Sequence, residues 1–220
     1  MYLNDIEDTF KQNGADGFNI NDFKLVLLLY AEDIVLFAES AESLQNSLNI
    51  LEGYYDRWKL TVSSTKTKVI IFRKGRRLPQ NVRFTYKKEE IEIVNTFKYL
   101  GVLFSAGSSY VEHDKMLAGQ SLKAIFKMNK YLYKFTDLSP RHIFSLFDKL
   151  ITPILNYGSE VTGFHKDVER THLRFCKRLL GVKSSTQNSF IYFELGRTSL
   201  QCLRFYNIIK YWLNHVIVLM

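Results

Sequence analysis

Two apolar runs near the start of the chain flank a short acidic segment. The runs occupy residues 23–29 and 34–38, and residues 30–33, with the sequence Tyr-Ala-Glu-Asp, separate them. Two short apolar runs on either side of a tight polar break are typical of buried strands that pair as a β-hairpin. The pattern therefore predicts that Glu32 and Asp33 lie together at the tip of a hairpin.

The segment after the hairpin has the period of an amphipathic helix. Ser40 is a candidate N-cap, and Glu42 would lie in the first turn, where the helix dipole favours negative charge. Large apolar residues then recur every three or four positions, which predicts one buried helical face. These residues are Leu44, Leu48, Leu51, Tyr55 and Trp58.

The rest of the pattern divides into a strand-rich part and a helical part. Short apolar runs predict strands at residues 67–72, 82–86, 91–94 and 97–104. After a small, polar break near residues 105–109, helical periodicity predicts helices at about residues 112–134, 140–157, 167–180 and 200–215. The sequence therefore predicts an α+β fold with two regions, residues 1–109 and 110–220.

Composition and charge exclude some classes of protein. Hydrophobic residues make up 46% and aromatic residues 15% of the chain, which is not the composition of a disordered protein. The apolar run at residues 25–29 is too short to span a membrane, so we expect no membrane association. Two cysteines provide no disulfide framework, which favours an intracellular protein, in nucleus or cytoplasm.

Charge is distributed unevenly along the chain. The net charge is −9 over residues 1–56, +9 over residues 57–109 and +8 over residues 110–220. An acidic hairpin followed by a long basic remainder suits a metal site beside a polyanion, although a merely basic protein has the same overall charge. Adjacent carboxylates repel each other, and a divalent cation would relieve that repulsion. The other interpretation is a solvated turn, since acids are common in turns.

Several segments resemble reverse transcriptases. Residues 30–37, Tyr-Ala-Glu-Asp-Ile-Val-Leu-Phe, resemble the Tyr-x-Asp-Asp hairpin of that family. Further resemblance is to successive parts of the enzymes of non-LTR, LINE-like retrotransposons. It covers residues 58–62 with 66–72, residues 97–102, residues 150–160 and residues 174–181, in the family's order.

The resemblance implies a fold and a reaction. Residues 1–109 would be a partial polymerase palm, made of a β-hairpin, a helix and antiparallel strands, and residues 110–220 a helical region like a thumb or connection. The family adds deoxynucleotides from their triphosphates to a DNA primer on an RNA template, with Mg²⁺ as cofactor. Two metal ions a few ångströms apart, held by carboxylates, support such phosphoryl transfer.

The resemblance also implies roles for individual residues. Glu32 and Asp33 would be the catalytic acids and metal ligands, and Tyr30 would lie beside the primer end. Lys66 would stabilise charge on the triphosphate, although without the resemblance an exposed strand face is the better explanation of this lysine. Tyr99, Leu100 and Gly101 would hold the primer backbone.

Three basic residues on one predicted helical face leave the interpretation open. Arg170, Arg174 and Lys177 are spaced by four and three residues, which suits either phosphate contacts or an ordinary solvated face. His172 and Cys176 also share a helical face, but two candidate ligands do not make a zinc site, so we interpret them as core residues.

Two departures from the family bear on catalysis. Glu32 stands where the family has Asp, and only 22 residues precede the first predicted strand, which leaves no room for the strand with the remaining metal-binding aspartate. We therefore expect the chain alone to be inactive. The alternatives are a catalytically dead, basic nucleic-acid-binding module and a decayed transposon product.

Overall fold

The computed structural model describes residues 5–21, 23–75, 81–132 and 138–216. These residues form two compact units, one within residues 1–97 and one within residues 98–220. Both helices and small sheets are present, so the fold is α+β, as predicted. The boundary between the units falls inside a strand and precedes the boundary that the sequence predicts at residue 109.

Short strands around one long helix make up the first unit. Its elements are α1 (Ile6–Gln12), β1 (Phe18–Ile20), β2 (Phe23–Leu25), β3 (Leu27–Tyr30), β4 (Asp33–Leu36), α2 (Ala41–Trp58), β5 (Val69–Ile70), β6 (Phe84–Tyr86), β7 (Glu89–Ile91) and β8 (Ile93–Val94). In the described residues the strands form two-stranded sheets, paired β1–β2, β3–β4, β5–β8 and β6–β7. The β5–β8 pair is parallel, in contrast to the antiparallel strands that the sequence predicts for this region. The other three pairs are antiparallel.

The long helix α2 forms as the sequence predicts. The Ser40 hydroxyl accepts a hydrogen bond from the Ser43 amide at 3.1 Å, so Ser40 is the N-cap. Leu48 and Leu51 are buried, but Trp58 is 43% exposed and Tyr54, outside the predicted face, is 1% exposed. The buried face is broader than the predicted stripe because α2 packs against both α1 and β6.

The hydroxyl of Tyr54 ties α2 to the start of α1. It donates a hydrogen bond to the Asp5 carboxylate, and Asp5 directly precedes α1. Burial, reinforced by the bond to Asp5, raises the pKa of Tyr54 to about 12. The first unit thus has one core, which α1, α2 and strands from three sheets share.

The second unit is mainly helical. Its elements are β9 (Thr96–Tyr99), in which the unit boundary falls, β10 (Val102–Ser105), α3 (Val111–Leu132), α4 (Pro140–Leu150), α5 (Thr152–Leu155), α6 (Ser159–Thr162), α7 (Lys166–Leu179), α8 (Asn188–Leu195) and α9 (Leu200–Val216). Residues 133 and 134 of the helix predicted at 112–134 lie outside the described residues. Phe147, Ile151, Leu155 and Val168 are fully buried at its centre.

Proline and glycine explain two boundaries in this unit. The helix predicted at residues 140–157 is divided into α4 and α5, because Pro153 has no amide hydrogen to continue the helical pattern. The strand predicted at residues 97–104 is divided into β9 and β10 by a turn at Leu100 and Gly101. Helix α8 was not predicted, since it lies between two stronger helical patterns.

A buried ion pair joins distant parts of this unit. Arg204 of α9 donates to the Asp114 carboxylate of α3 at 2.9 Å, and the two side chains are 0% and 1% exposed. Arg204 also donates to the carbonyls of Gly163 and Leu155. A buried charge is tolerated only with such partners, so this guanidinium fixes α9 against α3 and the segment between α5 and α7.

Across the described residues, no helix combines the length and the apolar composition that crossing a membrane requires.

Candidate metal site and nucleic-acid surfaces

Strands β3 and β4 place the acidic pair at a hairpin tip, as predicted. Tyr30 pairs with Asp33 across the ladder, so Ala31 and Glu32 alone form the turn. Ala31 has a φ of 53°, in the left-handed region that L residues adopt at a cost. The hairpin is therefore tight, and it brings Glu32 in the turn next to Asp33 at the end of the ladder.

The two faces of this hairpin differ in burial. Leu27 is buried, and Ile34 and Leu36 pack against the core of the first unit. Alternation places Leu28 and Tyr30 on the opposite face, where they are 44% and 60% exposed. The prediction that both apolar runs form buried strands is therefore wrong for one face, because the sheet has two strands and one covered side.

The hairpin acids are open to solvent. Glu32 and Asp33 are both exposed, and within the described part of the chain neither side chain has a hydrogen-bond or ion-pair partner. No group of three or more His, Cys, Asp or Glu side chains among the described residues could hold a metal ion. The pair can thus supply two carboxylates to a magnesium site, but it does not itself form a closed site.

Lys66 lies in a turn that leads into β5. The turn is closed by the amides of Lys66 and Thr67, which donate to the Ser63 carbonyl at 3.1 and 3.0 Å. The Lys66 side chain is exposed, whereas the neighbouring Lys68 pairs with Glu92 at 2.7 Å. Lys66 is thus available to a ligand, while Lys68 is engaged in the first unit.

Tyr99, Leu100 and Gly101 lie together at the β9–β10 turn. Leu100 and Gly101 have φ values of 45° and 84°, and positive φ at both central residues is what a two-residue type I′ hairpin turn requires. The Leu100 side chain is 41% exposed although it is large and apolar. This turn is therefore both strained and open to a ligand.

Tyr157 supports that turn from the segment between α5 and α6. Its hydroxyl donates to the Leu100 carbonyl at 2.7 Å. A Cβ on Gly101 would lie 2.7 Å from the Tyr157 ring, a distance that a side chain cannot occupy. Gly101 is thus required here both for its φ and for the approach of the tyrosine.

The three basic residues of α7 that the sequence singles out differ in exposure. Arg170 and Arg174 are exposed, but Lys177 is half-buried and donates to the Ser184 carbonyl at 2.8 Å. Arg170 pairs with Asp167 at 3.2 Å, whereas Arg174 has no polar partner among the described residues. Of the three predicted contacts, Arg174 is therefore the most available.

Sequence reasoning missed two members of this surface. The exposed side of α7 carries basic residues at every fourth position, and we call these residues the α7 stripe: Lys166, Arg170, Arg174 and Arg178. The spacing of four was the signal that could have found Arg178. Tyr157 was also missed as a support for the turn, because its contact with Leu100 spans 57 residues.

The opposite side of α7 forms a buried polar cluster. His172 is fully buried against Phe147, and its Nδ1 lies 3.4 Å from a Glu169 carboxylate oxygen. Burial opposes the charge on Glu169, but hydrogen bonds from His172, Tyr192 and the Gln201 amide outweigh it and lower the Glu169 pKa. The cluster thus joins α7 to α8 and to the first turn of α9. Cys176 is fully buried on the same helix, and burial raises its pKa to about 12.

A family comparison finds what the segment with the acidic hairpin is similar to. Residues 1–104 match the sequence profile of the family described as reverse transcriptase (RNA-dependent DNA polymerase). The match covers less than half of the chain, and it shows that residues 1–104 are similar to a reverse transcriptase domain. The matched segment contains the hairpin acids, Lys66 and the β9–β10 turn. Enzymes of this family generally use Mg²⁺ and act on a nucleic-acid template with nucleotide substrates.

Two relatives are transposon-derived. A putative uncharacterized transposon-derived protein of Caenorhabditis elegans is 26% identical over 76% of this chain and 61% of its own length. A putative 115 kDa protein in the type-1 retrotransposable element R1DM of Drosophila melanogaster is 25% identical over 70% of this chain and 16% of its own. The chain therefore spans less than two thirds of each relative. No solved structure matches it.

Proposed function

We propose that this chain is the C-terminal part of the palm, followed by a thumb-like helical region, of the reverse transcriptase of a non-LTR, LINE-like retrotransposon. The observation that carries the proposal is the pair of carboxylates at the tip of a two-residue hairpin, inside the segment that matches the reverse transcriptase family. The palm part would be residues 1–109 and the helical part residues 110–220. The substrates would be an RNA template, a DNA primer and deoxynucleoside triphosphates.

The residues of the first unit suit the polymerase reaction in different ways. Glu32 and Asp33 would be ligands to Mg²⁺, which supplies charge stabilisation for phosphoryl transfer when it is bound. Tyr30 shares the exposed hairpin face with Asp33, which would suit contact with the primer end. Lys66 is an exposed cation without a partner in the described residues and would neutralise charge on a triphosphate.

Glu32 would weaken this site. Its side chain is one methylene longer than Asp, which moves the carboxylate by roughly 1.5 Å. Catalytic groups tolerate displacements of only about 0.5 Å, and Mg²⁺ requires nearly ideal octahedral geometry. We therefore propose that the isolated chain has little or no polymerase activity and that its main property is binding to nucleic acid.

The α7 stripe favours that binding function. Four basic side chains follow one exposed helical face, and Arg174 and Arg178 have no polar partners within the described residues. Lysine and arginine that contact phosphates release counterions, which makes binding strongly salt-dependent. Tyr99, Leu100 and Gly101 would add contacts to the primer backbone at the β9–β10 turn.

Primer extension tests the catalytic proposal. Purified chain, an RNA template annealed to a DNA primer, deoxynucleotides and Mg²⁺ are combined, and the product length is measured for the natural chain, Glu32→Asp and Glu32→Gln. We expect no extension from the natural chain or from Glu32→Gln. Extension by the natural chain that disappears in Glu32→Gln would overturn the proposal of low activity.

A salt titration tests the binding proposal. The dissociation constant for a labelled primer-template is measured by fluorescence anisotropy at increasing KCl. Replacing Arg174 and Arg178 with Ala should weaken binding and reduce the slope of log K against log salt by about 2, since each phosphate contact contributes about 1. The charge-matched control replaces the exposed lysines Lys127 and Lys149 with Ala. Binding that is absent, independent of salt or equally weakened by the control would contradict the proposal.

A further inference from the structure

The β9–β10 turn has a conformation that its sequence does not favour. Type I′ turns prefer Asn, Asp or Gly at both central positions, and this turn has Leu100 at the first. A left-handed conformation costs a bulky L residue free energy, so contacts elsewhere in the protein must hold it in place.

Tyr157 supplies a hydrogen bond and a steric fit to this turn. Its hydroxyl binds the Leu100 carbonyl, and its ring occupies the space that a side chain at position 101 would need. The two contacts come from one side chain and act on the two residues with positive φ. A shift of the turn would break the hydrogen bond or bring Gly101 into the ring.

Tyr157 is in turn fixed by a buried histidine. His113 of α3 is fully buried and bridges two segments: its Nε2 lies 3.2 Å from the Tyr157 carbonyl, and its Nδ1 accepts from the Leu103 amide of β10 at 3.2 Å. This pairing makes Nε2 the donor to Tyr157. Gly158, with a φ of 69°, lets the chain pass close to the Val102 side chain, which would lie 3.1 Å from a Cβ at this position. The tyrosine and β10 therefore share one rigid support.

We infer that Tyr157 is a positioning residue that sets the conformation of the Leu100–Gly101 turn for contact with nucleic acid. The inference rests on the proposed function, in which this turn contacts the backbone at the primer 3′ end. A carbonyl oxygen repels phosphate oxygens, and the hydroxyl bond both neutralises part of that repulsion and fixes the direction of the Leu100 carbonyl. Tyr157 thus acts through the turn and needs no contact with the primer itself.

The test removes one oxygen atom. Tyr157→Phe deletes the hydroxyl and leaves the ring against Gly101, and Tyr206→Phe is the control, because Tyr206 is exposed in α9 and has no hydrogen-bond partner in the described part of the chain. Hydrogen exchange of peptides is measured in the free protein. We expect about threefold faster exchange over residues 98–106 in Tyr157→Phe, the effect of one hydrogen bond, and none over α7 or in the control.

A binding measurement then tests whether the conformation of this turn affects contact with the primer 3′ end. The ratio of affinities for a duplex with a recessed primer 3′ end and for a blunt duplex of equal length should fall about threefold in Tyr157→Phe, the same single hydrogen bond. Affinity for the blunt duplex should be unchanged. A general loss of folded protein would instead lower the affinity for both duplexes. The control should preserve both affinities.

Each contrary result has a distinct meaning. Unchanged exchange over residues 98–106, or a rise throughout residues 98–216, would overturn the positioning role. Local exchange with an unchanged affinity ratio would overturn the link to primer contact, while salt-dependent binding through the α7 stripe would stand. A natural chain that binds no primer-template would overturn the proposed function and this link together, even with local exchange as expected.

Discussion

Two tight turns of this protein each contain a non-glycine residue in the left-handed conformation, and they differ in the contacts that support it. The turn between β3 and β4 has Ala31 at a φ of 53°, and the turn between β9 and β10 has Leu100 at 45°. The side chains of the first turn have no polar partner among the described residues, whereas the second receives a hydrogen bond from Tyr157. The first turn therefore depends on its own strands and their packing on the core, and the second depends on a residue far along the chain.

The difference matters because the acidic turn would supply the metal ligands in the proposed function. Exposed carboxylates on a short, two-stranded hairpin can adjust to a ligand, but they are not preorganised for one. The β9–β10 turn is held by residues of α3 and of the segment between α5 and α6. Stability measurements on the two turns should therefore diverge, and three substitutions test that expectation.

The largest effect should come from the buried ion pair that joins the helices behind the second turn. Arg204→Met removes the partner of Asp114 and leaves a buried carboxylate unpaired, which should cost about 3–5 kcal/mol of unfolding free energy. Native-state hydrogen exchange in urea should show the loss over residues 98–216 and not over α2. The double variant with Asp114→Leu should recover stability, and a double variant as unstable as the single one would contradict this account.

A smaller loss should follow from Gly101→Ala. An alanine at a φ of 84° would be strained and would meet the Tyr157 ring, so we expect a loss of about 2 kcal/mol in the second unit. Gly107→Ala is the control, because a Cβ at that position would have no neighbouring atom within 4 Å. The loss of unfolding free energy is measured for each variant by urea denaturation, with hydrogen exchange of residues 98–106 as the local readout. Equal losses in the two variants would refute the contact with Tyr157.

The smallest effect should have the opposite sign and occur in the acidic turn. Ala31→Gly relieves the left-handed strain and should stabilise the hairpin by about 0.5–1 kcal/mol, net of the entropy of glycine. Ala38→Gly, at a residue whose φ is not positive, should destabilise it instead. Hydrogen exchange of the β3 and β4 amides measures the effect of each substitution. Destabilisation by Ala31→Gly would show that other contacts support the conformation of Ala31, as Tyr157 supports that of Leu100.

Local signals predicted much of the first unit. The register of the hairpin follows from two apolar runs and the break between them, and the start of α2 follows from Ser40. Both depend on residues within a few positions of each other, which is where sequence patterns are informative. The placement of Glu32 and Asp33 at the tip was predictable for the same reason.

Long-range contacts explain what the sequence did not reveal. Tyr54 replaces Trp58 in the core because α1 covers that side of α2, and nothing in the spacing of α2 indicates α1. The break at Leu100 was missed because leucine is not a turn residue, and its conformation depends on Tyr157. The exposure of Leu28 depends on how many strands join the sheet, which one apolar run cannot show.

The pairing of Asp114 with Arg204 also sets an order of events on the ribosome. Domains fold as they are synthesised, from the N-terminal side, and these partners are 90 residues apart. Until Arg204 is synthesised, Asp114 of α3 has no ion-pair partner from α9. A chain that ends before residue 204 would thus lack the cation that pairs with Asp114, while the hairpin with Glu32 and Asp33 would already be complete.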